Sequence, residues 1–173
     1  MDRLETPRLV AERLDQRHLP DLIALHLDPE VSRYLGGTRS AEATQAYLAA
    51  NLAHWDDHGF GLWIWRTPDG SFVGRAGVRP LAVEGVPEIE VAYALAREAW
   101  GRGYAGEITR ALVEHGLGRL ALPSLVGVVM VDHVASRRVL EKAGFAFERT
   151  VVHAGEPCAL YRLTQAAWCA TTA

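Results

Sequence analysis

The segment Trp100-Gly101-Arg102-Gly103-Tyr104-Ala105-Gly106 constrains this chain more than any other stretch. It opens a helical pattern over residues 103–120, with Ile108, Leu112, His115 and Leu120 towards one side. A glycine-rich entry leaves the first N–H groups of such a helix open, and those groups and the helix dipole together face one anion. Read literally, Gly101, Gly103 and Gly106 also satisfy the dinucleotide-binding G-x-G-x-x-G, with Asp132 as the later acidic residue. Three observations oppose that reading. Ala96-Arg97-Glu98-Ala99-Trp100 separates the preceding strand from the glycines, and that strand carries Glu88 and Glu90, which a fully buried first strand does not tolerate. The cluster also lies past mid-chain, leaving too few residues for the remaining parallel strands.

The rest of the pattern is mixed. A β-like run over 8–14 precedes two helical stretches, 18–27 and one capped by Ser40 that continues to Trp55 and stops at Gly59. The period then changes to two: Leu62-Trp63-Ile64-Trp65, a Pro68-Asp69-Gly70 turn, a returning strand over 72–79, a turn over 85–87, and a strand over 88–95. After the glycine-led helix come a β-branched strand over 125–131, a helix over 135–143 ended by Gly144, and a closing strand pair over 145–152 and 158–163. This order suits a mixed α/β (α+β) sheet with helices on both faces, in a single domain spanning 1–173. With 18 basic and 21 acidic residues the net charge is -3, which argues against general nucleic-acid binding. No apolar run approaches the roughly 20 residues of a membrane span. The charged start Met1-Asp2-Arg3-Leu4-Glu5 is unlike a signal peptide, so a cytoplasmic location is expected. Cys158 and Cys169 lack disulfide-framework or metal-ligand spacing, and no metal is expected.

Three blocks carry a resemblance: Glu90-Val91-Ala92-Tyr93-Ala94-Leu95, then Trp100 to Ala105, then Ala135-Ser136-Arg137-Arg138-Val139-Leu140-Glu141-Lys142-Ala143-Gly144-Phe145. In that order they resemble the GNAT family of N-acetyltransferases, and more narrowly the branch containing the ribosomal-protein N-terminal acetyltransferases. The opening Glu5-Thr6-Pro7-Arg8-Leu9 and the closing Tyr161-Arg162-Leu163-Thr164 with Trp168 fit the same branch. The resemblance implies a splayed, mostly antiparallel, seven-stranded sheet, with acetyl-CoA in the opening between the fourth and fifth strands. It implies cofactor contacts at Ala94, Leu95, Trp100, Gly101, Arg102, Gly103, Tyr104, Ala105, His133 and Ser136. The family's usual Asn after the fifth strand is His133 here, which still offers one donor and one acceptor when neutral.

Acetyl transfer to a primary amine needs a neutral nucleophile, a donor for the tetrahedral oxyanion and a proton for the leaving thiolate. The resemblance assigns Ser136 to the departing sulfur, although a first-turn Ser is also ordinary helix capping. Glu90 matches a frequent Glu of the branch and is the candidate base. Glu88 shares its strand face, Glu156 in the last turn is a second candidate, and water can relay the proton instead. The acceptor implied is a small-molecule amine or a protein N-terminus, and a homodimer is the commonest closed assembly for such a chain. A different class, a CoA-binding sensor or interaction protein that has lost catalysis, has only His133 in its favour. His54 and His58, four apart on a helix, read as a solvated helix end, and the tryptophans as core and cleft walls, with Trp63 or Trp65 bordering the acceptor.

Overall fold

The structure is a computed structural model that describes residues 3–172, so Met1 and Asp2 of the charged opening lie outside the described residues. The strands are β1 (Arg3–Glu5), β2 (Val10–Arg13), β3 (Leu62–Arg66), β4 (Phe72–Val83), β5 (Val86–Leu95), β6 (Ser124–Met130), β7 (Ala146–His153) and β8 (Glu156–Thr164). The helices are α1 (Leu19–Leu27), α2 (Pro29–Ser32), α3 (Ala41–His58), α4 (Tyr104–Val113), α5 (Val134–Lys142) and α6 (Gln165–Thr172). Hydrogen-bonded strand order is β1-β2-β3-β4-β5-β6-β8-β7. The sheet is mostly antiparallel. β5 and β6 run parallel and are registered at one position, Glu90 opposite Val126, whereas β6 and β8 are registered at seven. That contrast is the splay the resemblance implied.

Among the described residues the strand count is eight, not seven. The extra strand is β1, three residues long, with Leu4 its one buried side chain opposite Ala11. So short a strand shows no period of two, which is why the sequence pattern passes over it.

By its contacts the chain forms two compact units, the first built from residues up to Gly77 plus Tyr93–Tyr104, the second from Val78–Ala92 and the chain from Ala105 on. In the first, Trp63 and Trp65 are fully buried, Trp55 of α3 meets Trp63 edge-on at 5.0 Å, and the indole N–H groups of Trp55 and Trp65 donate to the carbonyls of Leu62 and Ala76. Both strand tryptophans are therefore core, with the Trp65 indole N–H satisfied by Ala76, and neither reaches solvent to border an open pocket. A second apolar group in this unit, Leu25, Val31 and Ala94 with Leu35, Phe72 and Ala96, packs α1 and α2 on the end of β5. Gly74 lets the β4 backbone come close to the end of β5: a Cβ there would stand 2.3 Å from the Ala94 carbonyl oxygen. Behind it His26 is buried, with Nδ1 3.1 Å from the Thr44 hydroxyl and Nε2 3.4 Å from an Arg39 Nη. Burial first, then the Arg75 and Arg39 charges, lowers its pKa to about 4, so the ring is neutral.

In the second unit Val83, Val126, Val151, Cys158 and Leu160 form a core covered by Leu81, Val128 and Met130. Burial of Cys158 pushes its thiol pKa up, the opposite of an activated nucleophile. The β4–β5 connection is a two-residue turn in which Glu84 and Gly85 both have positive φ, 50° and 82°, and the β7–β8 turn repeats this at Ala154 and Gly155. The sequence pattern starts β5 at Glu88 because Glu84 is not an expected left-handed residue. The structure starts it at Val86. The helix read over 103–120 is α-helical only to Val113; 114–119 is π-helical, with Leu120 N donating to the His115 carbonyl. Gly116 and Gly118 fall in that segment, where a Cβ would lie 2.9 Å from Leu125 and from Trp168 respectively.

Candidate functional site

In the first unit, Ala94 and Leu95 end β5 with buried side chains, and Arg97–Ala99 form one 3-10 turn. The Trp100 indole N–H then donates to the Leu95 carbonyl at 2.9 Å, tying the loop back to the strand it left, while the ring stays half exposed. Gly101 and Gly103 follow with φ of 73° and 77°, a region that an L side chain enters at a cost of roughly 1–2 kcal/mol. The two glycines therefore have conformational work to do: they turn the chain so that α4 begins at Tyr104 with its amides uncovered. Residues 101–103 are exposed and 104–106 half-buried, so an anion has access. Gly106 lies outside the left-handed range, and the 3-10 turn separates strand from glycines. Both facts depart from a dinucleotide fingerprint. Arg8, absent from the sequence-based set, touches this loop: its Nη1 donates to the Arg102 carbonyl at 2.9 Å and its guanidinium stands 4.8 Å from the Tyr104 ring centroid. The contact spans 94 positions, so no local spacing reveals it.

In the second unit, Ala105 accepts from the Thr109 hydroxyl at 2.7 Å within α4. Glu107 in the first turn of α4 is buried and complements the helix dipole. Glu90 is 7% exposed and its Oε1 accepts from Arg79 Nε at 2.7 Å. Its strand-face neighbour Glu88 is otherwise committed: both its oxygens accept from Arg162, at 2.7 and 3.0 Å, and Arg162 also holds Glu148, depressing that carboxyl's pKa. Arg162 is thus the centre of a structural ion-pair group that takes both oxygens of Glu88, whereas Arg79 bonds one oxygen of Glu90. Glu156 is exposed at the start of β8, opposite His153. His133 occupies the N-cap position of α5 without a capping hydrogen bond from its side chain, and Ser136 is buried in the first turn that follows. Arg137 anchors that turn, donating to the Tyr161 hydroxyl and the Val131 carbonyl.

His54 and His58 stack on each other at 4.4 Å and against Phe60. Among the described residues no group of three His, Cys, Asp or Glu side chains is gathered that would hold a metal, and no helix is long and apolar enough to cross a membrane.

The splayed mixed sheet, with a strand end that passes through a glycine turn into a helix start, is the arrangement implied by the resemblance to the N-acetyltransferases. The comparisons with known proteins agree. The model for the acetyltransferase (GNAT) domain matches residues 8–146, and the chain therefore belongs to the GNAT acetyltransferases. It is 29% identical over 163 residues to the uncharacterized protein YkkB of Bacillus subtilis, covering 92% of this chain and 94% of that one. It is 28% identical to the FsC-acetyl coenzyme A-N(2)-transacetylase of Aspergillus fumigatus, covering 85% of this chain and 66% of that one. A crystal structure of an acetyltransferase from Agrobacterium tumefaciens superposes with a TM-score of 0.82 at 26% identity, covering 94% of both chains. The protein is an acetyl-CoA-dependent acetyltransferase, with acetyl-CoA as its cosubstrate.

Proposed function

We propose that this chain works as one acetyltransferase domain that moves the acetyl group of acetyl-CoA to a primary amine. The amine belongs to a peptide N-terminus or to a small molecule. The observation that carries this reading is the loop 101–105: two left-handed glycines, an indole N–H bond that fixes the loop to β5, and exposed residues 101–103 leading into a half-buried helix start. These residues suit a pyrophosphate, because a helix start leaves its first amides without intrahelical partners and its positive end lies next to the exposed residues 101–103. The name of the Aspergillus fumigatus relative, an N(2)-transacetylase, supports an amine acceptor. The blocks around Glu90, Trp100 and Ser136, with the opening Thr6-Pro7-Arg8-Leu9, support the ribosomal-protein N-terminal branch.

Acetyl-CoA supplies its acetyl group as a thioester, so the reaction makes a C–N bond and breaks a C–S bond. Ser136, in the first turn of α5, is assigned the hydroxyl that donates to the departing sulfur. Glu90 is assigned the proton that the amine sheds, directly or through water. Its Oε1 is held by Arg79, which leaves the second oxygen to accept. His133 is assigned the pantetheine contact usually made by Asn. The test is acetyl-CoA binding by calorimetry together with CoA release on adding amines, in the wild type and in Ser136→Ala. Binding with amine-dependent release that Ser136→Ala slows supports the reading, and binding without release from any amine opposes it.

A further inference from the structure

Resting on that reading of the loop, we infer that Arg8 is a positioning residue for the cosubstrate's phosphates: it fixes which way the Arg102–Gly103 peptide faces. The connection between β1 and β2 is a tight turn over 6–9. It is closed by Thr6 N donating to the Leu9 carbonyl at 2.9 Å and by Leu9 N donating to the Thr6 hydroxyl at 3.1 Å. Leu9 is fully buried and anchors the turn, while Arg8 beside it is exposed. From there one side chain reaches three consecutive loop residues. Its Nη1 donates to the Arg102 carbonyl at 2.9 Å, its Nη2 stands 3.6 Å from where a Gly103 Cβ would be, and its guanidinium lies 4.8 Å from the Tyr104 ring centroid.

In a trans peptide the C=O and N–H point in opposite directions. Drawing the Arg102 carbonyl towards Arg8 therefore turns the Gly103 N–H away from Arg8. A glycine at 103 accepts φ of either sign, so the peptide before it can flip at little cost unless something holds it. The arginine supplies that hold, and the planar guanidinium against Tyr104 fixes the distance of the clamp from the start of α4. Arg8 thus selects one of two accessible loop geometries, the one in which the Gly103 amide joins the other helix-start amides. Its contribution is orientation, and it needs no contact with the ligand.

The experiment compares wild type, Arg8→Gln and Arg8→Lys with acetyl-CoA and with acetyl-pantetheine, the same acetyl thioester lacking every phosphate. Arg8→Gln is expected to raise Kd for acetyl-CoA about 10-fold, the loss of one ordinary hydrogen bond and of the ordering it imposed. Its kcat at saturation, and its KM for acetyl-pantetheine, are expected to stay at the wild-type values. Raised salt should leave the ratio between variant and wild type in place, because a hydrogen-bonded clamp is screened far less than a distant charge. Arg8→Lys keeps a donor for the Arg102 carbonyl but not the planar fork, and should recover part of the affinity. The inference is overturned by wild-type acetyl-CoA affinity in Arg8→Gln, by an equal loss on both thioesters, or by an effect that vanishes in salt with Arg8→Lys equal to wild type. A wild-type protein that binds acetyl-CoA no better than acetyl-pantetheine overturns the proposed phosphate site instead, and so separates the two failures.

Discussion

Replacing Gly103 with Val tests the phosphate loop at its most restrictive point. Gly103 has φ of 77°, and the nearest atom to a Cβ built there is Arg8 Nη2 at 3.6 Å, so the obstacle is backbone conformation and not space. A left-handed L residue costs about 1–2 kcal/mol, and a β-branched one sits at the unfavourable end. The loop has two responses. If it keeps its shape, the free protein loses that stability, and Tm falls by about 2–4 °C per kcal/mol for a chain of this size. If it relaxes to negative φ, the Gly103 amide turns away from the anion. A hydrogen bond to a charged group contributes about 1.5–3 kcal/mol, so Kd for acetyl-CoA rises roughly 10- to 100-fold. Exposure of residues 101–103 favours the second response. Calorimetric titration with acetyl-CoA, alongside thermal unfolding of the free protein, reads both quantities. Gly106→Ala is the control: Gly106 is outside the left-handed range, a Cβ there meets Arg110 Nη1 at an ordinary 3.5 Å, and affinity should not change. Wild-type affinity in Gly103→Val, or equal damage from both substitutions, would refute the reasoning.

Other perturbations separate the remaining roles. Ser136→Ala should lower turnover at every pH, by up to the roughly 100- to 10,000-fold typical of a positioned proton donor, with little change in acetyl-CoA affinity. Normal turnover would make Ser136 an ordinary first-turn residue. Glu90→Gln keeps an oxygen for Arg79 and so should fold. Its rate should fall most at low pH, where few acceptor amines are neutral, and a pH–rate profile parallel to wild type would move the base to Glu156 or water. Stability should decline in acid for an identified reason: burial holds His26 and His115 at pKa values of about 4 against 6.5 in the unfolded chain. The unfolded chain then binds more protons between those values, so their contribution is complete above pH 6.5 and lost as pH falls towards 4. It is on the order of 3 kcal/mol for each ring. Denaturant titrations at stepped pH should show His115→Gln with a visibly shallower decline, and an unchanged slope would contradict this.

Much of the architecture is legible in the sequence because it is written locally. The period-two run Leu62 to Trp65, the Ser40 cap, Gly144 after α5 and the glycine turn before α4 each act within a few residues of themselves. What escapes is non-local or conformationally unusual. β1 exists because Leu4 pairs across from Ala11, and three residues alone carry no period. Glu84 and Ala154 take left-handed turns that composition assigns to glycine, so strand starts are read late. The Trp63 and Trp65 pair shows a shared face but not that both rings are fully buried, with Trp55 of α3 edge-on to Trp63. At the site, the loop glycines and Ser136 are visible as motif residues. Glu88 and Glu90 look equivalent by periodicity, and only the arginine that meets each one separates them: Arg162 grips both oxygens of Glu88, while Arg79 takes one of Glu90. Arg8 is invisible for the same reason, since its partner lies 94 positions away.

The most direct measurement is CoA release from acetyl-CoA across a panel of amines, with mass spectrometry of the acceptor to locate the new bond. The panel spans peptide N-termini, amino acids, polyamines and aminoglycosides. The account predicts that acetyl-CoA raises the melting temperature and that at least one amine class accelerates CoA release and is recovered acetylated on nitrogen. Thermal stabilisation by acetyl-CoA with no amine-dependent release, or acetyl recovered on oxygen or sulfur of the acceptor, would contradict it.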